Sequence, residues 1–369
     1  MGNSDSQNNG ASTVLSADEG KKKSLVGLLL RYLVPLAITV LLVWYMFTKI
    51  NFSELWQTIR HGVDYRWILL AMGISVLSHI FRALRWRLQL VSLEIKPPLL
   101  ALCCSIFGTY ALNLVFPRLG EVWRCSYIAQ RQKAPFTKVL GSMVADRLSD
   151  TLMVLMLLLF TLVVAHDKIM AFLNKYPVGQ GLLDMLSSPW FWIAVVGCLV
   201  LVVVVFRAFR EKGPVKKILH MLTDLWHGFA SVGRMKGKWM FLIYTFAIWG
   251  CYFFQLYVAF YAFECTRVLC FESGTVAGLL PCLVAFVLSS IGMAVPSNGG
   301  LGPWNMAIVF GLMLYNVPEA PATSMSIVVW SAQTVMLIAL GIFTAIYIAG
   351  GKKDSHPSLR QDIEKTASL

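Results

Sequence analysis

The sequence is poor in charge and in the motifs that carry most enzyme chemistry. Asp, Glu, Lys and Arg make up 14% of its 369 residues, whereas 57% are hydrophobic. A soluble domain of this length would carry more charge and shorter apolar runs. The sequence also has no zinc-type ligand spacing, no phosphate-binding loop and no nucleophile elbow, so we expect no metal, no cofactor and no catalytic residue. These features are typical of a polytopic helical membrane protein.

Acidic residues are few relative to basic ones. The chain holds 32 Lys and Arg residues against 19 Asp and Glu residues, for a net charge of +13. Such a charge would suit a nucleic-acid partner, but the basic residues flank apolar runs and no basic recognition helix is present. This distribution is typical of cytoplasmic loops that contact anionic lipid, so we expect no nucleic-acid partner.

Most of the eight cysteines lie within apolar runs and are interpreted as small packing residues. Cys265 and Cys270 instead flank a short loop, and their spacing leaves open whether they form a disulfide. A loop of this length often strains the bridge geometry, so the free thiols are the favoured alternative.

The apolar runs divide the chain into a membrane domain and two tails. We expect residues 1–24 to be a disordered polar tail, residues 25–350 to be the membrane domain and residues 351–369 to be a polar cytoplasmic tail. Six runs are predicted to span the membrane, at residues 25–47, 67–88, 148–165, 190–206, 240–263 and 324–349. Two other regions, 99–116 and 275–315, are predicted to be re-entrant. This all-α arrangement puts most Lys and Arg residues, and both termini, on the cytoplasmic side of the membrane.

The two re-entrant regions resemble each other. Pro117-Arg118-Leu119-Gly120 interrupts the first, and Pro296-Ser297-Asn298-Gly299 interrupts the second. In the predicted topology they enter from opposite sides, which indicates an inverted repeat with a binding site at the two broken helices. The predicted turn residues are Pro117, Pro296, Ser297, Asn298, Gly299, Gly300, Gly302 and Trp304.

Charged and polar residues lie close together in sequence around the first turn. Charged residues are costly to place near hydrocarbon, so their presence here indicates a functional site. The candidates for substrate binding or gating are His79, Arg82, Asn113, Arg118, Gly120, Glu121, Arg124, Asp146, Arg147 and Asp150. Arg118 and Arg124 are suited to a lipid phosphate, since a guanidinium binds phosphate through two parallel hydrogen bonds. Arg147 is a natural partner for Glu121. A purely structural role, in which ion pairs between these residues only hold the turn against the helix bundle, fits them equally well.

Helical spacing places several of these residues on common faces. Asp146 and Asp150 lie four residues apart and therefore share one face. The second predicted helix carries a polar face made of Ser75, His79, Arg82 and Trp86. Arg85 and Arg87 are interpreted instead as positive-inside anchors at the membrane surface. His79 is interpreted either as a packed polar group or as a residue that faces the cavity, and both interpretations stay open.

Four short motifs carry a family resemblance. They are Arg82 with Arg85-Trp86, Pro117-Arg118-Leu119-Gly120-Glu121 with Arg124, Asp146-Arg147-Leu148-Ser149-Asp150, and Pro296 with Gly299-Gly300-Leu301-Gly302. In these motifs the chain resembles the transmembrane region of lysylphosphatidylglycerol synthase, a family also called flippase-like domain proteins. The family usually has a Glu after its second glycine turn, where this chain has Pro303-Trp304-Asn305, and often an Arg near the position of Trp330.

The resemblance implies a lipid translocase, or flippase, of the bacterial inner membrane. Its substrate would be a membrane phospholipid or a lipid-linked precursor. The resemblance does not extend to the synthase's aminoacyl-transfer domain, so we expect no lipid aminoacylation. Two alternatives stay open: a non-catalytic membrane partner of an envelope biosynthesis enzyme, and a membrane-embedded transferase that uses Glu121, Asp146 or Asp150.

Overall fold

A computed structural model describes residues 52–116, 118–175, 237–272, 276–295 and 297–351, together with short pieces between residues 184 and 200. Its regular structure is helical, and the described part contains no strand, which confirms the predicted all-α class. The helices of the first half are α1 (Phe52–His61), α2 (Tyr65–Ser92), α3 (Leu99–Val115), α4 (Leu119–Arg131), α5 (Phe136–Val164) and α6 (His166–Lys175). Those of the second half are α7 (Lys238–Phe260), α8 (Glu264–Arg267), α9 (Leu279–Gly292), α10 (Pro303–Met313) and α11 (Glu319–Gly351).

Four of these helices are long and apolar enough to cross a membrane. They are α2, α5, α7 and α11, which correspond to four of the six predicted spans, although α5 ends one residue and α7 three residues before the predicted end. The predicted span at 25–47 lies outside the described residues, and most of the one at 190–206 does too. The predicted polar tails at 1–24 and 351–369 also lie outside them, apart from the backbone of residue 351.

The predicted re-entrant region 275–315 forms a pair of short helices, and the region 99–116 forms the first helix of a second such pair. The 17 residues of α3 measure about 26 Å at 1.5 Å per residue, and the 14 residues of α9 measure about 21 Å. Both fall short of the hydrocarbon core of about 30 Å. Helix α3 packs on α4, and α9 packs on α10. The pairs α3–α4 and α9–α10 therefore fold back as helical hairpins, whereas entry and exit on one side of the membrane stay a prediction.

The first hairpin depends on a glycine at its turn. The backbone N–H of Gly120 donates to Asn113 Oδ1 at 2.9 Å. A Cβ at Gly120 would collide with the carbonyl oxygen of Thr109, because α3 and α4 approach closely there. Arg118, just before α4, has a left-handed backbone with φ of 64°. The predicted turn is therefore confirmed at these residues, whereas Pro117 lies outside the described part of the chain.

The second hairpin also has a glycine where its two helices approach closely and an asparagine that accepts from a glycine N–H. A Cβ at Gly292 would lie 2.7 Å from the carbonyl oxygen of Pro303. The N–H of Gly302 donates to Asn305 Oδ1 at 3.2 Å, and Asn305 Nδ2 donates to Ser326 Oγ on α11 at 3.4 Å. Asn305 thereby ties the turn to a spanning helix.

Two apolar clusters meet along α2 and α5. One includes Met72 of α2 and Met153 of α5, with side chains of α7, α9, α10 and α11. The other includes Ala83 and Met143, with side chains of α3 and α4. On α2, Arg82 lies between Met72 and Ala83 in sequence. On α5, Asp146 and Asp150 lie between Met143 and Met153. The charged site therefore lies where the two halves of the core join.

The two loop cysteines are free thiols. Cys265 Sγ lies 3.9 Å from the carbonyl oxygen of Pro321, and Cys270 Sγ lies 3.7 Å from that of Thr266. Burial raises the pKa of the Cys265 thiol to about 11, which makes it a poor nucleophile near neutral pH.

Candidate functional site

The centre of the site is a lattice of buried ion pairs between α2 and α5. Arg85 Nη2 lies 2.7 Å from Asp146 Oδ1 and 2.8 Å from Asp150 Oδ1. Arg82 Nη1 lies 2.7 Å from Asp150 Oδ2 and 3.6 Å from Asp146 Oδ2. Each arginine thus reaches both carboxylates, and all four residues are buried. The predicted common face of the two aspartates is confirmed.

The interpretation of Arg85 as a surface anchor is wrong. Its side chain is fully buried and holds both aspartates. The reason is helical spacing: Arg85 follows Arg82 by three residues, so both point at α5. Arg87 lies on another face and is exposed, as an anchor would be.

Arg124 approaches the lattice from α4. Its guanidinium is fully buried, and its Nη2 atom lies 3.6 Å from Asp146 Oδ2. Its Cζ atom lies 4.6 Å from the centroid of the Trp86 ring, a cation–π distance. Among the described residues, none of its three nitrogens has a nitrogen or oxygen hydrogen-bond partner.

A fourth arginine connects the lattice to the first turn. Arg147 Nη2 lies 2.6 Å from Glu121 Oε1, which confirms the predicted pair. Arg147 Nη1 also lies 3.9 Å from Asp150 Oδ2. The Arg147 side chain is 34% exposed, so this pair forms the more open edge of the cluster. It fastens α4 to α5.

Two side chains of α7 complete the lattice, and neither was predicted from the sequence. Tyr252 Oη accepts from Arg82 Nη2 at 3.1 Å. Thr245 Oγ1 accepts from Arg85 Nη1 at 3.3 Å. Both belong to an ordinary apolar run far along the chain from their partners, so only the packing of α7 against α2 brings them in.

Further along the same face of α2, the polar contacts continue. The His79 ring packs on Tyr110 with centroids 4.6 Å apart, and neither ring nitrogen has a hydrogen-bond partner. One turn beyond, Ser75 Oγ accepts from Gln333 Nε2 at 3.0 Å, and Gln333 Oε1 accepts from Gln255 Nε2 at 2.7 Å. The two glutamines were missed in the sequence, although a polar residue inside an apolar run is itself a signal.

The two broken-helix turns meet through reciprocal contacts. Arg118 Nη2 donates to the carbonyl oxygen of Ala294 at 3.4 Å. Asn298 Nδ2 donates to the carbonyl oxygen of Val115 at 3.3 Å. Val115 and Ala294 occupy matching positions, each two residues before the proline of its own half. This exchange supports the predicted repeat. We call the four residues the turn junction.

The rest of the second turn packs around this junction. Gly299 has φ of 60°, and a Cβ there would lie 2.6 Å from Leu114 Cδ2. Trp330 Nε1 donates to the carbonyl oxygen of Gly299 at 3.0 Å, so Trp330 holds the turn by a hydrogen bond. Gly300 and Gly302 also have positive φ, of 82° and 91°.

The other predicted turn residues lie near the turn junction or outside the described part of the chain. Ser297 is extended and half-buried, and Trp304 packs partly buried against the larger apolar cluster. Pro296 lies outside the described residues.

The structure does not bring every predicted site residue together. Arg118 is exposed at the turn junction, whereas Arg124 is buried beside Asp146 and Trp86. Since no described contact joins the two arginines, a phosphate shared between them stays a prediction. In the described part of the chain, no group of three His, Cys, Asp or Glu side chains is arranged to hold a metal ion.

Comparison with known proteins places this geometry in context. The family model for the lysylphosphatidylglycerol synthase TM region matches residues 32–341, which include the charged lattice and both turns. No curated protein gives a significant match.

Proposed function

The chain belongs to the family of the lysylphosphatidylglycerol synthase TM region, and we propose that it moves a phospholipid or a lipid-linked precursor between membrane leaflets. The family is membrane-associated and linked to lipid modification and flippase-like function. We place the protein in the bacterial inner membrane with both termini in the cytoplasm, because that topology satisfies the positive-inside bias.

The observation that carries this proposal is the buried charged lattice of α2, α4 and α5. Removing charges from water is costly, and a buried ion pair rarely stabilises a protein more than apolar packing would. Intramembrane charges are therefore retained mainly for function, usually along a substrate path. A polar headgroup needs such a lining to cross the hydrocarbon layer.

The turn junction supports a gating role for the two broken helices. Non-helical backbone at membrane depth needs polar partners. Here the carbonyl oxygens of Val115 and Ala294 each accept a hydrogen bond from a side chain of the opposite half. In our proposal these contacts hold the closed state, and the turns separate when a headgroup passes. The half-exposed Glu121–Arg147 pair is the proposed entrance gate, next to Asp146 and Asp150.

The test is leaflet exchange of fluorescent phospholipids in liposomes that contain the purified protein. Exchange should exceed that of empty liposomes and of liposomes with an unrelated polytopic membrane protein, which controls for disturbance of the bilayer. Exchange equal to both controls across several headgroups, from protein shown to be folded, would reject translocation.

A further inference from the structure

A line of uncharged polar side chains continues the charged lattice toward the N-terminal end of α2, which the proposed topology places outside. Ser75 Oγ accepts from Gln333 Nε2 at 3.0 Å, and Gln333 Oε1 accepts from Gln255 Nε2 at 2.7 Å. His79 lies four residues after Ser75 and three before Arg82, so helical spacing puts all three on one face of α2. We call Gln255, Gln333, Ser75 and His79 the polar line. It joins α2, α7 and α11 and ends at the lattice.

The polar line is open at its glutamines and closed at its histidine. Gln255 and Gln333 are only partly buried, whereas Ser75 is fully buried and His79 is 2% exposed. Polar groups within spanning helices are costly against hydrocarbon and face protein or a water-filled cavity. The partly exposed glutamines therefore indicate a contact with water, and the line leads from that contact to the buried imidazole.

His79 has no role in the transport proposed so far. Among the described residues, neither of its ring nitrogens has a hydrogen-bond partner. The ring packs on Tyr110 with centroids 4.6 Å apart and lies edge-on to Phe107 at 6.2 Å. A neutral imidazole carries one donor and one acceptor, and burying both without partners is costly. An aromatic hydrocarbon ring would fill this space at lower cost, so packing alone does not account for a histidine here.

The charges around His79 leave no anion for an imidazolium. The charged and titratable groups on the surrounding helices are Arg82 on α2, Tyr110 on α3, Asp146, Arg147 and Asp150 on α5, and Tyr252 on α7, while α11 contributes the uncharged Gln333. Each aspartate already lies 2.7 to 2.8 Å from an arginine. A protonated His79 would therefore face Arg82 without an anion of its own. The phosphate of a passing lipid would supply one.

We propose that His79 is a proton-binding site and that it takes up one proton with each lipid phosphate that passes the lattice. This inference rests on the proposed translocation and adds an energy source to it. When the closed contacts separate, a proton from the outer water passes along the polar line and binds the lone pair of the unprotonated ring nitrogen. The imidazolium offsets the phosphate charge, and it returns its proton to water on the other side as the lipid leaves. Because each charge favours the binding of the other, proton and lipid move in the same direction.

Leaflet exchange under a pH gradient tests the coupling. The liposomes contain the purified full chain and a trace of fluorescent phosphatidylglycerol, and a potassium ionophore removes the membrane potential. With one proton per lipid, the wild type should enrich the lipid in the leaflet on the less acidic side, by up to about tenfold per pH unit. A trapped pH indicator should record the protons that move with it. Exchange above the controls without enrichment or proton flow would overturn the coupling and keep translocation.

Two variants separate a proton site from a packed ring. His79→Gln keeps hydrogen-bonding groups and His79→Phe keeps a ring against Tyr110, but neither side chain can take up a proton. Both should remove the enrichment and the proton flow. The thermal stability of His79→Phe should equal or exceed that of the wild type, because no described residue bonds to the ring nitrogens. The control is His61→Gln at the exposed end of α1, which should change nothing. Enrichment that persists in either folded variant would refute the assignment to His79.

Proton uptake on binding distinguishes this proposal from the broader one. Dihexanoyl-phosphatidylglycerol is titrated into the full chain in detergent, and calorimetry in two buffers of different ionisation enthalpy counts the protons taken up. At about pH 6.5 the wild type should take up about one proton per lipid and His79→Gln none. Uptake without leaflet exchange would keep the proton site and remove translocation. Exchange without uptake would keep translocation and remove the proton site.

Discussion

Replacing Arg85 tests whether the buried lattice holds the two halves of the core together. Arg85 donates from Nε to Asp146 Oδ1 at 2.9 Å and from Nη2 to Asp150 Oδ1 at 2.8 Å. Arg85→Met keeps much of the side-chain volume but leaves both carboxylates with less compensation. Removing one partner of a buried ion pair costs about 3–5 kcal/mol, so we expect a loss of that size in the free energy of unfolding.

Equilibrium unfolding in mixed micelles measures this loss. The matched control is Arg87→Met, two residues along the same helix and exposed, which should change the free energy of unfolding by less than about 0.5 kcal/mol. The double variant Arg85→Met with Asp146→Leu should lose less than the sum of its single variants, by about 1–3 kcal/mol, because the two residues interact directly. Equal losses for Arg85→Met and Arg87→Met, or strict additivity in the cycle, would refute the reasoning.

Two further predictions concern the first turn and the loop after α7. Gly120→Ala should destabilise the protein by about 1–3 kcal/mol in the same unfolding assay, because its Cβ would collide with a backbone carbonyl. Gly141→Ala, at a helical glycine with open space around it, is the control and should be neutral or stabilising; equal losses would disprove the collision. Because burial raises the pKa of Cys265 to about 11, its labelling by maleimide should be slow at pH 7 and still rise, about tenfold per unit, between pH 8 and 10. A rate that levels off near pH 9, followed by mass spectrometry of the peptide, would contradict the raised pKa.

Much of the fold could be predicted because its signals are local. Run length and the Pro/Gly turns identified both broken helices, and spacing along one helix identified the face of Asp146 and Asp150. The pair between Glu121 and Arg147 followed from opposite charges on adjacent helices. The turns and the shared face need only neighbouring residues and the period of a helix, and the ion pair needs only two helices that follow each other in the chain.

The rest of the site depends on tertiary packing. Three arginines close together at a helix end resemble an interfacial anchor, and although helical spacing groups Arg85 with Arg82, nothing local shows that this face of α2 is buried. Only the position of α5 makes Arg85 a buried partner and leaves Arg87 exposed. Tyr252 and Gln333 likewise gain their roles from contacts between distant parts of the chain. An inventory of charges in the sequence also could not reveal that Arg124 is fully buried against the Trp86 ring.

The turn junction links the fold to the proposed transport. The contacts of Arg118 and Asn298 are single hydrogen bonds at 3.4 and 3.3 Å, and each ends on a carbonyl oxygen of the opposite half. Such contacts are weak enough to break during a transport cycle and reciprocal enough to close both broken helices together. The ion pairs of the lattice are more numerous and more buried. We therefore expect the junction to move and the lattice to stay.

A reversible cross-link at the junction tests this account most directly. A Cβ at Gly299 would lie 3.8 Å from the Cα atom of Leu114, close enough for a disulfide between Leu114→Cys and Gly299→Cys. The single variant Gly299→Cys carries the same backbone strain and is the control. In liposomes, the account predicts that oxidation stops phospholipid exchange by the double variant alone and that a reductant restores it. Exchange that continues unchanged through a complete cross-link would contradict the claim that the two turns separate to let a headgroup pass.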